Sequence, residues 1–267
     1  MTTRTAQITQ TTQATPIADL IALPQVSRLA AEVSATLPVC PCCGAPAFEG
    51  AWRGLFDLQH ACDCILERAE LYEIGIQRLW DFRARQQKYL ASLPARYRAY
   101  IFETLEQTPG NTEALETGLK LERGRTLYLW GNPGNGKTHL ACAIGFHALE
   151  RESVVFWNVA ALYAALRESV ANDTPRPNLL VPGVLILDDL GKVKTSEFVY
   201  ETLYACLESR WSNAKTTILT ANHKPGIVAD RLTPSSLDRE ASDAILSRLV
   251  AGRVIEVQGE DRREGQT

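Results

Sequence analysis

The sequence has no hydrophobic run long enough to cross a bilayer. Its apolar stretches, such as Val181 to Leu187, fall well short of the roughly 20 residues a spanning helix needs. Nor is there an excess of charge of either sign: Lys and Arg number 28 against 31 Asp and Glu, a net charge of −3. No global basic field therefore draws the chain to nucleic acid, although a local basic patch is enough for phosphate contacts. An apolar segment is also missing after Met1, because the stretch to Pro16 is rich in Thr and Gln and does not read as a signal peptide. These absences make the cytoplasm the expected compartment and give no reason to expect a membrane partner. No internal repeat is present. What remains is a chain of 267 residues, 45% apolar, able to bury at least one substantial core and of a length that suits one or two domains.

Residues 1–20 carry few large apolar side chains and are expected to form a disordered tail. A helix is expected from Ile65 to about Leu93, with Ile65, Ala69, Tyr72, Ile76 and Leu79 at three- and four-residue steps and Pro94 as its stop. Residues 95–122 have mixed character around a turn signal at Pro109-Gly110-Asn111. From Arg125 onward short apolar strands alternate with helices. The pattern predicts strands at 126–130, 154–157, 184–187, 216–219 and 253–257, and helices at 137–150, 159–170, 196–211 and 241–249. Nearly fully apolar strands separated by helices are what a parallel sheet covered on both faces requires. The expected organisation is a disordered tail (1–20), an N-terminal module with a helix (21–94), an α/β domain (95–260) and a charged tail (261–267).

The run Gly131-Asn132-Pro133-Gly134-Asn135-Gly136-Lys137-Thr138 fits the G-x-x-x-x-G-K-T pattern completely and sits between an apolar strand and a helix. Its glycines let backbone N–H groups turn inward around a β-phosphate. Lys137 reaches the β- and γ-oxygens, and the Thr138 hydroxyl is a ligand for Mg2+. The helix that begins at Lys137 adds its positive dipole end at the same point. These residues, with His139 next in line, form the candidate ATP-binding set. The acidic half of such a site belongs at the end of another strand, and Val184 to Leu187 runs into Asp188-Asp189. Asp188 is then placed to hold Mg2+, usually through water, and Asp189 to orient the attacking water. Asp189 is one methylene shorter than a glutamate, so slow turnover is expected. Asn222 follows the strand Thr217–Thr220 and either bridges the γ-phosphate and the water or caps the next turn. His223 reads as a loop histidine rather than a base.

Five of the seven cysteines lie between Cys40 and Cys64. Cys40-x-x-Cys43-Gly44 and Cys62-x-Cys64 supply two hooks of two thiolates, the arrangement of a tetrahedral Zn2+ site. With four protein ligands such a site is closed and structural, holding together a piece too small to fold alone. Cys42 is the spare thiol in this reading. A Cys40/Cys42 or Cys42/Cys43 pair stays open, and His60 can stand in for one thiolate. Cys142 and Cys206 read as buried core thiols.

Four segments together, GNPGNGKTHLA (131–141), VLILDDLG (184–191), TILTANH (217–223) and AILSRLVAG (244–252), resemble the AAA+ clade of bacterial helicase loaders of the DnaC/DnaI type. Transposition helper ATPases of the IstB type are near relatives within that resemblance, which covers about Ala95 to Arg263. The resemblance implies a P-loop AAA+ ATPase core with a parallel five-stranded sheet flanked by helices, without a C-terminal lid, behind a small zinc-binding module and helix. It also implies that Arg248, in Ser247-Arg248-Leu249, is an arginine finger reaching the γ-phosphate bound by a neighbouring subunit, with Arg231 a weaker competitor. A homo-oligomer, or an assembly that caps a partner ring, follows from that role. The ending Gly259-Glu260-Asp261-Arg262-Arg263 resembles the clade's closing motif. A cysteine module ahead of the ATPase is similar to that of DnaI-type loaders, where it contacts the replicative helicase, whereas IstB-type helpers carry a helical segment there.

Three functions are compatible with this pattern. The first is an ATP-dependent loader that binds ATP, Mg2+ and single-stranded DNA and delivers a DnaB-type replicative helicase. The second is a transposition helper on duplex DNA, and the third a nucleotide-binding adaptor with negligible hydrolysis. Between Arg78 and Arg98 the basic residues Arg78, Arg83, Arg85, Lys88, Arg96 and Arg98 face one acid, Asp81, with Trp80, Phe82, Tyr89 and Tyr97 interleaved. Such a stretch suits single-stranded nucleic acid or else a solvated helix face whose aromatics pack on the ATPase domain. Arg167 and Arg176, in the stretch 160–177, are further candidates for strand contact by the resemblance.

Overall fold

A computed structural model describes residues 63–193 and 195–261, and of residues 63–76 and Leu79 the backbone alone. The expected zinc ligands Cys40, Cys43 and Cys62, with Cys42 and His60, lie outside the described residues. Of Cys64 only the backbone is described, in the first turn of helix α1 (Asp63–Ser92). The chain divides into two compact units, Met1–Asp81 and Phe82–Thr267. In the first, Gln77 Nε2 donates to Asp81 Oδ1 at 2.9 Å, one helical turn on, and Trp80 is exposed.

The second unit is built on a parallel sheet of five strands, β1 (Thr126–Trp130), β2 (Val154–Asn158), β3 (Val184–Leu190), β4 (Thr216–Ala221) and β5 (Arg253–Glu256), in the order β2-β3-β4-β1-β5. Each crossover carries at least one helix: α3 (Lys137–Ala148), α4 (Val159–Ala171), α5 (Glu197–Ser212), and the pair α6 (Pro225–Leu232) and α7 (Arg239–Leu249). A short helix, α2 (Thr112–Leu119), precedes β1. Apolar side chains are continuous along β1, β3 and β4 because both faces of the sheet are covered. On one face Tyr128, Leu185, Leu187 and Leu219 pack with Val159, Leu162 and Leu166 of α4, Leu203 of α5 and Ile245 of α7. On the other, α3 approaches so closely that a Cβ at Gly145 would strike the Tyr89 hydroxyl and Ile186.

Local signals explain most element ends. Asn158, Ser196 and Asp238 accept hydrogen bonds at their helix N-termini from Ala160 N, Val199 N and Ala241 N, satisfying backbone donors that lack an intrahelical partner. The Asp238 cap starts α7 before Ala241, the expected first residue. Helices α2 and α6 are not in the sequence-based expectation. Pro109-Gly110-Asn111 forms the expected turn, and α2 starts directly after it; Pro225 sits in the first turn of α6, where its missing N–H costs nothing. Strand β3 runs through both aspartates to Leu190, beyond the expected end at Leu187.

The reading of residues 78–98 as a nucleic-acid face gives way in part to packing. Phe82 and Tyr89 are buried, and the Tyr89 hydroxyl donates to Cys142 O at 3.0 Å. Tyr97 stacks on Tyr100 with ring centroids 5.0 Å apart and meets Phe156 edge-on. Arg96 and Arg98 remain exposed. Cys142 and Cys206 are buried free thiols, as expected.

One buried cation joins the layers. Arg210 of α5 is 0% exposed. It donates through Nε to Thr217 Oγ1 (3.0 Å), through Nη1 to Leu179 O and Pro182 O (both 2.9 Å), and through Nη2 to Gly183 O (3.0 Å) and Thr216 O (2.6 Å). Burial pushes its pKa down to about 10. The guanidinium fork thus ties the loop before β3 to the start of β4, using carbonyl oxygens instead of a carboxylate. Arg210→Ala removes five hydrogen bonds, four of them to carbonyl oxygens, and is expected to destabilise the fold by about 3–5 kcal/mol in urea unfolding. Arg210→Lys, without the fork, should recover only part of that loss.

Candidate nucleotide-binding site

All five strands run the same way, so their C-terminal ends share one edge, and the G-x-x-x-x-G-K-T loop leaves β1 at that edge. Gly134 and Gly136 adopt φ of +78° and +93°, a left-handed region that side chains with a Cβ disfavour. At Gly136 a Cβ would project into open space, whereas at Gly134 it would collide with the Asp261 carboxylate. Lys137 is buried and folds back on the loop, donating from Nζ to Gly131 O (2.9 Å), Asn132 O (2.6 Å) and Asn135 Oδ1 (3.0 Å). Asn135 in turn donates to Val257 O, and Val257 N donates to Trp130 O at 2.7 Å. The segment after β5 therefore braces the loop. A cleft of about 1220 Å3 opens beside it, lined in part by Asn132, Pro133, Gly259 and Asp261. His139, in the first turn of α3, stacks on Tyr100 at 4.5 Å with its Nε2 3.0 Å from Ile101 O, so it is held by the segment before β1.

Strand β3 supplies the acidic half. Its register against β4 shifts between Leu187 and Leu190, and Asp189 takes φ of +68°. An irregularity of this kind turns side chains that a regular strand would alternate. Asp188, 2% exposed, accepts from Thr138 Oγ1 at 2.8 Å and from Thr220 Oγ1 at 2.7 Å, both on Oδ1. The same Thr220 oxygen accepts from Asp189 N at 3.0 Å, which fixes the backbone turn between the two acids. Asp189 presents Oδ1 to Asn222 Nδ2 at 3.3 Å and Oδ2 to Lys192 Nζ at 2.9 Å. Asn222 thus aims at Asp189 instead of capping the next turn. His223 enters only through its carbonyl, which accepts from Tyr128 Oη at 2.9 Å.

Arg248 is not at this edge in its own chain. It lies near the end of α7, donating from Nε to Glu208, with its guanidinium 4.6 Å from the Trp211 ring centroid. Glu208 and Trp211 belong to the last turns of α5, just before β4 begins, so Arg248 sits where the strands start and the loop sits where they end. Arg231 is nearer the site, with Nη1 at 3.5 Å from Gly191 O. Arg176 lies over the Phe198 ring at 5.5 Å, and Arg167 is exposed.

Sequence reasoning did not single out Thr220, Lys192 or Asn158. Thr220 looks like one more β-branched strand residue, and only register with β3 shows that it serves both aspartates. Asn158 pairs in register with Asp188, and its side chain helps hold the Asp188 carboxyl charged while also capping α4. The electrostatics follow from these contacts. Burial pushes the Asp188 pKa up, the Thr220 and Thr138 hydroxyls pull it back, and the charge of Asp189 adds to the rise. A buried lysine, a glycine loop with room beside Gly136, and hard oxygen donors on Thr138 and Asp188 fit a phosphate chain with a small divalent cation.

A raised pKa in the folded state means that ionising Asp188 opposes folding. The apo protein therefore bears no penalty from Asp188 below the ordinary carboxylate range, and loses stability as pH rises through the raised value. Asp188→Asn keeps an acceptor for both hydroxyls without the charge. It is expected to melt at a higher temperature than wild type at neutral pH without nucleotide, and the difference should shrink towards zero as both are acidified. An equal difference at every pH would refute this account of the buried charge.

A family model described as IstB-like ATP binding protein matches residues 83–267. The chain is 30% identical over 172 residues to the insertion sequence IS5376 putative ATP-binding protein of Geobacillus stearothermophilus, covering 60% of this chain and 68% of that protein. It is 26% identical over 216 residues to the replicative helicase loader DnaI of Bacillus subtilis, covering 73% and 68%. A crystal structure of DnaI superposes with a TM-score of 0.55 at 27% identity, over 64% of this chain and 94% of that one. Against the chromosomal replication initiator protein DnaA of Thermomicrobium roseum, 25% identical over 176 residues, the chain spans 35% of that protein's length. Among the described residues no helix is long and apolar enough to cross a membrane. With this sheet order, loop and pair of aspartates, and over two thirds of its length matched, the chain belongs to the IstB-like ATP-binding family.

Proposed function

We propose that the chain is an AAA+ ATPase that uses its nucleotide state to place a replicative helicase on single-stranded DNA. The observation that carries the ATPase reading is the linked set Thr138–Asp188–Thr220–Asp189–Asn222 across β3, β4 and the loop. In this reading Lys137 leaves the loop carbonyls for the β- and γ-phosphates, while Gly131 to Gly136 wrap the phosphate chain with backbone N–H groups. Thr138 and Asp188 hold Mg2+, directly or through water, and the cation supplies charge neutralisation on the phosphate oxygens. Asp189 and Asn222 orient the attacking water. Its oxygen bonds to the γ-phosphorus as the bond to the β,γ-bridging oxygen breaks; that oxygen leaves on ADP with the electron pair, and the water proton passes to the Asp189 carboxylate. Arg248 serves a neighbouring subunit, because its own loop lies at the opposite strand edge, so a homo-oligomer or a ring-capping assembly completes the site. The cysteine hooks at Cys40, Cys43, Cys62 and Cys64 hold Zn2+ in a module (21–94) that meets the helicase ahead of the ATPase domain (95–260).

The loader reading is supported by the DnaI match, which covers more of the chain than residues 83–267 can supply and so reaches ahead of the family region. A transposition helper on duplex DNA is the second reading, favoured by the family itself and by the insertion-sequence relative.

Lys137→Ala is expected to abolish binding of a fluorescent ATP analogue. Asp189→Ala should bind it normally but turn over ATP about 100-fold more slowly or worse. Equal turnover by Asp189→Ala and wild type would leave the nucleotide-binding adaptor as the better description. Capture of a DnaB-type helicase and its transfer to single-stranded DNA separates the first two readings; ATP-dependent coating of duplex DNA without helicase capture would overturn the loader. Metal analysis of the purified full chain should find zinc that Cys62→Ser or Cys64→Ser removes.

A further inference from the structure

Both oxygens of the Asp189 carboxylate carry a side-chain partner. Asn222 holds Oδ1, Thr220 fixes the backbone that carries it, and the Lys192 ammonium takes Oδ2 at 2.9 Å. Lys192 belongs to the turn just after β3, beside Gly191 with its φ of +77°, so the cation arrives from a flexible stem on the solvent side. Its side chain is 67% exposed against 24% for Asp189. Thr220 and Asn222 approach from β4 and its C-terminal end, and Lys192 from the solvent side of the same carboxylate. A carboxylate held at both oxygens is not free to turn towards a water.

We propose that Lys192 is a positioning residue that latches Asp189 in a resting orientation and so restrains basal ATP turnover. This rests on the ATPase reading and deepens it: the site is built around a carboxylate that has to be let go before it can act. The exposure of the pair sets the size of the effect. A solvent-facing ion pair is weak and readily opened, so its loss should raise turnover by about fivefold at most. The latch is therefore one that a modest competing interaction can open, and hydrolysis becomes slow in isolation without loss of nucleotide binding.

The test uses the full chain and four proteins: wild type, Lys192→Met, Lys192→Arg and Asp189→Ala, with the double variant Lys192→Met/Asp189→Ala as the control. Steady-state ATP turnover is measured beside the affinity for a fluorescent non-hydrolysable ATP analogue and the melting temperature without nucleotide. Lys192→Met is expected to raise kcat about three- to fivefold, with KM, analogue affinity and melting temperature unchanged. Lys192→Arg, which keeps the cation, should stay at the wild-type rate, and the double variant should be as slow as Asp189→Ala. An unchanged or lower kcat in Lys192→Met overturns the latch, as does a gain that persists when Asp189 is absent. Should Asp189→Ala and wild type turn over ATP equally, the ATPase reading fails and the latch with it. A wild type that depends on Asp189 beside an unresponsive Lys192→Met removes the latch alone.

Discussion

Asp188 places a carboxylate inside the protein, 2% exposed, where ionisation is opposed by burial and by the neighbouring Asp189. Two hydroxyls make it tolerable, one from the phosphate loop's helix and one from β4. That arrangement ties together three elements far apart in the chain. It fixes α3 against the end of β3, sets β4 in register with β3, and through Thr220 turns the backbone at Asp189. Displacing any one of the three would leave a buried charge short of partners, a cost of several kcal/mol. The functional edge of the sheet is therefore strained and preorganised at the same point, which is what an electrostatic site for a charged substrate needs.

The loop end of the sheet and the opposite end do different work. At the first, the glycine loop with Lys137 is braced by the segment after β5, and Thr138 links it to the two acids that end β3. At the second, Arg210 knits the strand starts to the preceding loop through carbonyl oxygens, and Arg248 rests on Trp211 and Glu208. Both arginines are held, but differently. Arg210 is wholly enclosed, while Arg248 lies in a partly exposed pair with Glu208. Within one chain Arg248 stands apart from the loop, at the edge where the strands start.

Much of this was legible in the sequence because the signals are local. The strands of a sheet covered on both faces are short apolar runs, the loop has an unmistakable pattern, and Asp188-Asp189 ends a buried run. What stayed hidden is what depends on register. Thr220 serves two aspartates only because β3 and β4 shift against each other there, and no property of a lone threonine announces it. Lys192 carries no sequence signal of its own, and its contact with Asp189 comes with the left-handed backbone at that acid. Helix α6 is short, eight residues, and no N-cap side chain marks its start. The aromatic run at 78–98 left two readings open, and the packing one holds for Phe82 and Tyr89, which face the core; spacing alone cannot tell a stacking platform from a packing face.

The central claim is that the loop, Thr138 and the two aspartates form one preassembled site for a phosphate chain. A crystal structure of the full chain with a non-hydrolysable ATP analogue and Mg2+ tests it most directly. The account predicts the phosphates inside the loop, the Lys137 ammonium moved from Gly131 O and Asn132 O onto them, and the β3–β4 register unchanged. An analogue bound away from the loop, or Lys137 still on its carbonyls beside a bound triphosphate, would contradict it.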